Sequence, residues 1–338
     1  MKKNALGIHG GAGTILRSQM TPALEREYRS GLEIALHIGR EILERGGSSL
    51  DAVEAAVCSL EDFPLFNAGR GSVFTHEGNN EMDAAIMDGA RLKAGAVAFV
   101  KNIRNPIKLA RLVMERTDHV LLAGEGANQF AEHNGIRSAP DEYFFTEHRW
   151  LQLQEAIAAG RVQLDHTLSE PAAVATGAPL SEPGAVATGA PENRKSQIEN
   201  RKSLGTVGAV ACDANGRLAA ATSTGGMTNK RFGRIGDTAL VGAGTYADDI
   251  CAVSCTGHGE FFMLGVTAYD VAARMKYKGL NLEQAARETI EHLTSIGGEG
   301  GLIAVDTHGN VVLPFNSEGM YRGFVGADGE LNIDVYKP

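Results

Sequence analysis

Long apolar runs are missing from this sequence. No stretch approaches the ~20 apolar residues of a membrane-spanning helix, and the apolar stretch behind Lys2 and Lys3 is too short for the core of a secretion signal. The expectation is a cytoplasmic protein with no membrane partner. Basic clusters are missing as well: net charge is -9, and nothing is polybasic beyond two short NRKS pieces. Nucleic acid is thereby excluded as the main partner. Cysteine is sparse. Cys58, Cys212, Cys251 and Cys255 form no CxxC pattern, and neither His nor Cys follows Cys251 and Cys255 at zinc spacing, so they read as reduced, mostly buried thiols. Proline is low at 10 residues. Glycine, at 42, is abundant and points to tight turns and close backbone approaches. The 338 residues, 43% of them hydrophobic, suffice for one large or two medium cores.

Residues 5–9 (ALGIH) read as a buried strand entering a turn at GGAG. Periodicity predicts a helix over 22–45, stopped by Gly46-Gly47, and a second over 50–62 capped by Ser49. Strands are expected at 71–75, 80–89 and 93–100, and helices at 105–116 and 147–160 with a short strand (119–124) between them. Residues 161–205 differ: LSEPAAVATGAP (168–179) is followed at once by LSEPGAVATGAP (180–191), and ENRKS occurs twice. Low apolar bulk with Pro, Gly, Ser and charge predicts a mobile linker. Beyond it, strands are expected at 206–213, 217–224 and 239–243, helices at 258–278 and 281–295, and two closing strands at 301–306 and 311–316 joined by a THGN turn. Strands, then helices, then strands in each half suggest an α+β fold of two stacked sheets with helices outside.

At Gly205-Thr206 the polar linker turns abruptly into an apolar strand. One physical account is backbone cleavage. The Thr206 hydroxyl attacks the Gly205 carbonyl, and the resulting ester is hydrolysed. Glycine has no Cβ to obstruct the attack. The freed α-amine, with a reference pKa of about 8, would then be a general base beside its own hydroxyl. A Gly-Thr turn opening a strand is the plainer reading of the same residues. Downstream, Arg234 and Asp237 lie three apart between glycines, a spacing able to hold the carboxylate and ammonium of an amino acid; a surface ion pair would look the same. Thr256 and Gly257 precede a helix and could supply oxyanion donors or a cap. GGEGG before the strand at 301 implies backbone close to a ligand or to another strand.

Taken together, IHGGAGTI (8–15), LEDFPLFNAGRGSVFT (60–75), MDAAIMDG (82–89), GTVGAVACDANGRLAAATSTGGMTNK, GRIGD, VGAGTYADD, CTGHGE, GGEGGLIAVD and LPFNSEGMYRG resemble the plant-type asparaginase / isoaspartyl peptidase family of N-terminal nucleophile hydrolases. The resemblance spares only the linker. It implies a four-layer αββα sandwich, with autocleavage into an α subunit (1–205) and a β subunit (206–338). Thr206 is then the nucleophile, Thr224 its supporting hydroxyl, Arg234 and Asp237 the substrate head-group pair, and Thr256 and Gly257 the oxyanion donors. It also implies a sodium ion held by the backbone carbonyls of Leu60, Glu61, Phe63 and Phe66, with Asn67 near the site; no cofactor is expected for the chemistry. The implied substrates are L-asparagine and β-aspartyl (isoaspartyl) dipeptides, and the implied assembly is a dimer of cleaved α/β protomers. A glycosylasparaginase, a threonine endopeptidase and an uncleaved amino-acid-binding protein are the competing readings. Two features depart from the family: the duplicated linker and a 244–257 loop one residue short. His258 reads as a helix-start residue.

Overall fold

A computed structural model describes residues 4–160, 162, 205–326 and 329–337. The duplicated repeats, and the mobility expected of them, lie outside the described residues.

The first part of the chain forms β1 (Ala5–Gly13), α1 (Pro22–Glu44), α2 (Ser49–Glu61), β2 (Met82–Asp88) and β3 (Lys93–Val100). It continues through α3 (Pro106–Arg116), β4 (Leu121–Ala123), α4 (Gly124–His133), α5 (Asp141–Phe144) and α6 (Glu147–Ala158). From the Gly-Thr junction onward come β5 (Val207–Cys212), β6 (Leu218–Thr224), β7 (Thr245–Ala247), β8 (Cys251–Gly257), α7 (Gly259–Gly265), α8 (Thr267–Lys278) and α9 (Leu282–Ser295). The last strands are β9 (Gly300–Asp306), β10 (Val311–Val312), β11 (Gly319–Val325) and β12 (Leu331–Tyr336).

Local chemistry sets the helix ends. The Thr21 hydroxyl accepts the Leu24 N–H and Pro22 opens α1, where its missing N–H costs nothing. Gly46, at φ +82°, lies just past the end. The cap of α2 is Ser48, which accepts the Asp51 N–H, not Ser49 as expected; a cap stands outside the first helical turn, and Ser49 is already inside it and buried. His258 does start α7, without a side-chain capping bond.

Two sheets form, in the order β12-β11-β1-β5-β6-β2-β3-β4 and β10-β9-β8-β7. Side chains of a strand alternate between faces, and here both faces are buried. In β5, Val207, Ala209 and Ala211 pack under α1–α3, while Val210 and Cys212 face the second sheet. In β8, Cys251, Val253 and Cys255 pack under α8 and α9, while Ala252 faces back toward the first sheet. The seam between the sheets is apolar at one end (Ala5, Val210, Cys212, Leu218, Ala220, Ala252, Ile303, Val305). Continuing two residues at a time along the same faces gives Gly7 and His9 on β1, Gly208 and Thr206 on β5, Thr222 and Thr224 on β6, and Ser254 and Thr256 on β8. The seam changes from methyl groups to hydroxyls at one end.

Several expectations are corrected. GGAG is part of β1, not a turn; the strand absorbs it through an irregularity between His9 and Gly11, with Gly11 at φ +122°. Residues 71–75 form no strand; only Thr75 makes an isolated bridge to Lys230. Residues 239–243 form a turn held by Leu240 and Ala243 backbone bonds, and the strand there is β7 instead. The helix expected over 258–278 breaks at Val266, which has φ +46°. The expected strand at 311–316 stops at Val312, and two further strands, β11 and β12, close the chain. α4 and α5 lie between the expected strand at 119–124 and the expected helix at 147–160, where no element is expected.

Candidate active site

Thr206 immediately precedes β5, is 7% exposed, and donates from Oγ1 to Thr224 Oγ1 at 3.2 Å. The register explains the meeting: β5 and β6 pair Val207 with Ser223, so Thr206 and Thr224 are the next pair along. Thr224 Oγ1 also accepts the Gly226 N–H at 3.0 Å, which ties the hydroxyl to the turn that follows. Gly205 precedes the nucleophile position at φ +24°, a backbone conformation that disfavours any residue with a Cβ.

The turn after Thr224 is clipped to the loop behind α2. Asn67 Nδ2 donates to the Gly226 carbonyl (2.8 Å), its Oδ1 accepts the Val73 N–H (3.0 Å), and its carbonyl accepts the Gly225 N–H (3.0 Å). An ideal Cβ on Gly225 would sit 2.5 Å from Asn67 Oδ1, so the clip needs glycine. Lys230, 2% exposed, donates from Nζ to the carbonyls of Glu81 (2.7 Å) and Gly225 (3.0 Å). Burial lowers its pKa, opposed by the charge of Asp83.

Arg234 does not stand free to receive an anion on every side. Its Nε and Nη2 are taken bidentately by Glu260, both at 2.8 Å. Burial alone would raise the Glu260 carboxyl, but hydrogen bonds from His258 and Arg234 outweigh it and hold it well below the usual carboxylate range. The remaining edge of the guanidinium, Nη1, lies against Gly226 and Gly236 and so faces the turn after Thr224. Asp237 is 4% exposed, and its Oδ2 has no hydrogen-bond partner among the described residues. Burial pushes its pKa up to about 7 against the opposing pull of Arg234. A buried carboxylate oxygen with no partner is costly; an incoming ammonium would relieve that cost. An ideal Cβ on Gly259 would lie 2.7 Å from Asp237 Oδ1 and 3.2 Å from Arg234 Nη2, which brings the pair to the end of β8.

Thr256 is fully buried, and its Oγ1 accepts the Ala12 N–H at 3.2 Å from the HGGAG segment. With the oxygen so engaged, its own proton is available to a ligand. Gly257 has φ +149° and Gly300 φ +151°, and an ideal Cβ on Gly300 would sit 2.3 Å from the Thr256 carbonyl. Gly300 of GGEGG therefore serves contact with a strand, β8, while Gly298 makes room for Leu293 and Phe261 and Gly301 for Phe315 and Met320.

His9, Ser254, Thr222, Thr245 and Glu260 join the site without a motif of their own that assigns them a role. His9 is fully buried, with Nδ1 2.9 Å from the Thr206 carbonyl and Nε2 2.8 Å from Ser254 Oγ. Burial lowers its pKa to about 3, despite the bond to Thr206, so the ring is neutral. The only sequence signals were its place in HGGAG and, for Glu260, the last letter of CTGHGE.

For the sodium loop, the carbonyls of Leu60, Phe63 and Phe66 accept the N–H groups of Phe63, Phe66 and Ala68 at 3.2, 3.3 and 3.0 Å. A carbonyl has two lone pairs, so those of Phe63 and Phe66 can still serve a cation, whereas that of Leu60 also accepts the Asp62 N–H. An ideal Cβ on Gly69 would meet the Glu61 oxygen at 2.4 Å, and one on Gly71 the Phe66 oxygen at 2.1 Å. Glycine at these two positions lets the chain pass close against the Glu61 and Phe66 carbonyls, and carbonyl oxygens are the donor type a hard cation takes. No cluster of three His, Cys, Asp or Glu suited to a metal occurs among the described residues.

The family model described as asparaginase matches residues 2–334. An isoaspartyl peptidase of Salmonella typhimurium is 50% identical over 339 residues, covering all of both chains. One of Escherichia coli is 48% identical, covering 100% of this chain and 97% of its own. A human isoaspartyl peptidase/L-asparaginase is 41% identical over 331 residues, 97% of this chain and 94% of its own.

Proposed function

The chain belongs to the asparaginase family, and on that premise we propose that it is a self-processing threonine hydrolase acting on β-aspartyl dipeptides and L-asparagine. The observation that carries this reading is the hydrogen bond between the Thr206 and Thr224 hydroxyls at the polar end of the inter-sheet seam, with the Arg234 guanidinium facing the turn that follows Thr224. The described layers (helices, eight-stranded sheet, four-stranded sheet, helices) support a four-layer αββα sandwich. Residues 1–205 are the proposed α subunit and 206–338 the β subunit.

In the proposed reaction the α-amine of Thr206 takes the proton from its own hydroxyl, directly or through a water. Thr224 orients that hydroxyl. The oxygen adds to the substrate's side-chain carbonyl, and the Thr256 hydroxyl and Gly257 N–H receive the negative oxygen; one good donor of this kind contributes about 3–4 kcal/mol. The amine returns its proton to the departing nitrogen, which leaves as ammonia or an amino acid. Water then adds to the β-aspartyl ester and releases aspartate, restoring the Thr206 hydroxyl. Arg234 Nη1 holds the substrate α-carboxylate and Asp237 its ammonium. The same hydroxyl attacking the Gly205 carbonyl accounts for maturation.

The carbonyls of Leu60, Glu61, Phe63 and Phe66 are proposed to hold a structural sodium ion, outside the reaction itself. Melting should then occur at higher temperature in NaCl than in choline chloride of equal ionic strength; identical curves would remove the ion. A dimer of cleaved protomers is proposed from the resemblance, and light scattering giving a single chain mass would overturn it. Four free cysteines, three of them buried, support a cytoplasmic location, and among the described residues no helix is long and apolar enough to cross a membrane. Steady-state rates on L-asparagine, a β-aspartyl dipeptide and GlcNAc-asparagine test the substrate class. Turnover of the first two is expected; turnover of the sugar conjugate alone would make the enzyme a glycosylasparaginase.

A further inference from the structure

Behind the proposed nucleophile lies a buried line of hydrogen bonds whose direction can be worked out. The Thr206 carbonyl can only accept, so the neutral His9 ring must carry its proton on Nδ1, and Nε2 must accept. Ser254 Oγ, 2.8 Å from Nε2, therefore spends its proton on His9. The 2.7 Å contact between Ser254 and Thr222 then takes its proton from Thr222, and the 2.6 Å contact between Thr222 and Thr245 takes its proton from Thr245. Every proton points the same way: Thr245 to Thr222 to Ser254 to His9 to the carbonyl of Thr206.

Space has been kept for this line. An ideal Cβ on Gly208 would lie 2.0 Å from Ser254 Oγ and 2.4 Å from His9 Nε2, so any other residue there would break the bridge. The β1–β5 register ends at the His9–Gly208 pair, leaving Thr206 beyond the ladder on that side. The His9 ring supplies the bond that the ladder no longer does.

We propose that His9 is a positioning residue for the nucleophile, clamping the Thr206 carbonyl at the end of a one-way chain of buried hydroxyls. The inference rests on the hydrolase reading. Once the Gly205–Thr206 bond is cut, Thr206 keeps one covalent tether, so the orientation of the next peptide plane sets where its Cα stands and the axis about which amine and hydroxyl turn, while the Thr224 contact holds the hydroxyl about that axis. The clamp fixes that plane without touching substrate.

The test uses the full-length, self-cleaved protein, with cleavage confirmed by mass. His9→Phe should lower kcat by about 10- to 100-fold, the scale on which small misplacements act, with KM for L-asparagine changed less than about threefold. His9→Asn, which keeps an N–H donor near the Nδ1 position, should recover most of the lost kcat. Nitrogen-15 NMR of histidine-labelled wild type should show His9 as the Nδ1–H tautomer, and Ser254→Ala should disturb that signal and lower kcat. If His9→Phe does not fold, His9→Asn and Ser254→Ala carry the test. Wild-type kcat in His9→Phe, or in Ser254→Ala when His9→Phe is insoluble, would overturn the clamp, as would an Nε2–H tautomer. An inactive wild type overturns the hydrolase reading and, with it, the clamp's role in turnover; the tautomer still reports on the chain of bonds.

Discussion

At the scale of single residues, the site combines one satisfied charge with one unsatisfied charge. Glu260 occupies two nitrogens of Arg234 and leaves a third; Asp237 keeps a buried oxygen with no partner among the described residues. Replacing Arg234 by Ala should raise KM for L-asparagine by at least about tenfold while self-cleavage continues, since truncating one side of a charged contact costs about 2–5 kcal/mol; an unchanged KM would remove Arg234 from the head-group site. The pH dependence follows from protonation. Asp237, pushed up to about 7, holds an ammonium only as the carboxylate, and the Thr206 amine, with a reference pKa of about 8, acts only as the free base. Both lose their protons as pH rises, so kcat/KM should climb between about pH 6 and 8, and a flat profile there would contradict these assignments. Arg234 and Asp237 were legible in the sequence because three-residue spacing keeps them in one loop. Glu260 was not: it lies 26 residues after its partner, and only folding brings the two together.

The elements show why glycine is so abundant. Gly71 lies where an ideal Cβ would approach the Phe66 carbonyl to 2.1 Å, whereas a Cβ on Gly126, in α4, would meet nothing among the described residues within 4 Å. Gly71→Ala should therefore cost more than about 3 kcal/mol, while Gly126→Ala should stabilise by about 0.5–1 kcal/mol through helix propensity; denaturant midpoints distinguish them, and equal effects would contradict the packing. At the end of α2, Glu61 is fully buried and accepts from Ser223 Oγ and the Ile107 N–H. Burial pushes its pKa up to about 8, above the ordinary ~4.3. The folded protein thus keeps a proton that the unfolded chain has released, and the stability this contributes is full below about pH 4.3 and is lost as pH rises through 8. Glu61→Gln should be near neutral at pH 4 and stabilising by on the order of 1–3 kcal/mol at pH 9, read from urea midpoints; a pH-independent difference would contradict the burial argument. Strands with strict alternation or a continuous apolar run, such as β5 and β6, were legible. β11 was not, because Gly and Arg interrupt its pattern, and β12 was missed although Leu331, Ile333 and Val335 alternate with Asn332 and Asp334; their place is set by pairing with β1 and with each other.

Over the whole molecule, the strand order interleaves the two sides of the Gly205–Thr206 junction. β5 lies between β1 from before it and β6 from after it, and β6 in turn pairs with β2. Cutting the chain at that junction leaves the sheet hydrogen-bonded across the cut on several edges. Two stacked sheets with outer helices could be inferred from the order of patterns; the interleaving could not, because pairing between distant strands leaves no local trace. The cleaved pieces should therefore travel together in native mass spectrometry and separate only on denaturation, and native dissociation into free fragments would contradict the topology. The central claim, that Thr206 becomes a new amino terminus whose nitrogen activates its own hydroxyl, is tested most directly by N-terminal sequencing of the purified mature protein. The account predicts a second sequence reading Thr-Val-Gly-Ala, absent from Thr206→Ala; a single sequence beginning at the original terminus in active wild-type protein would contradict it.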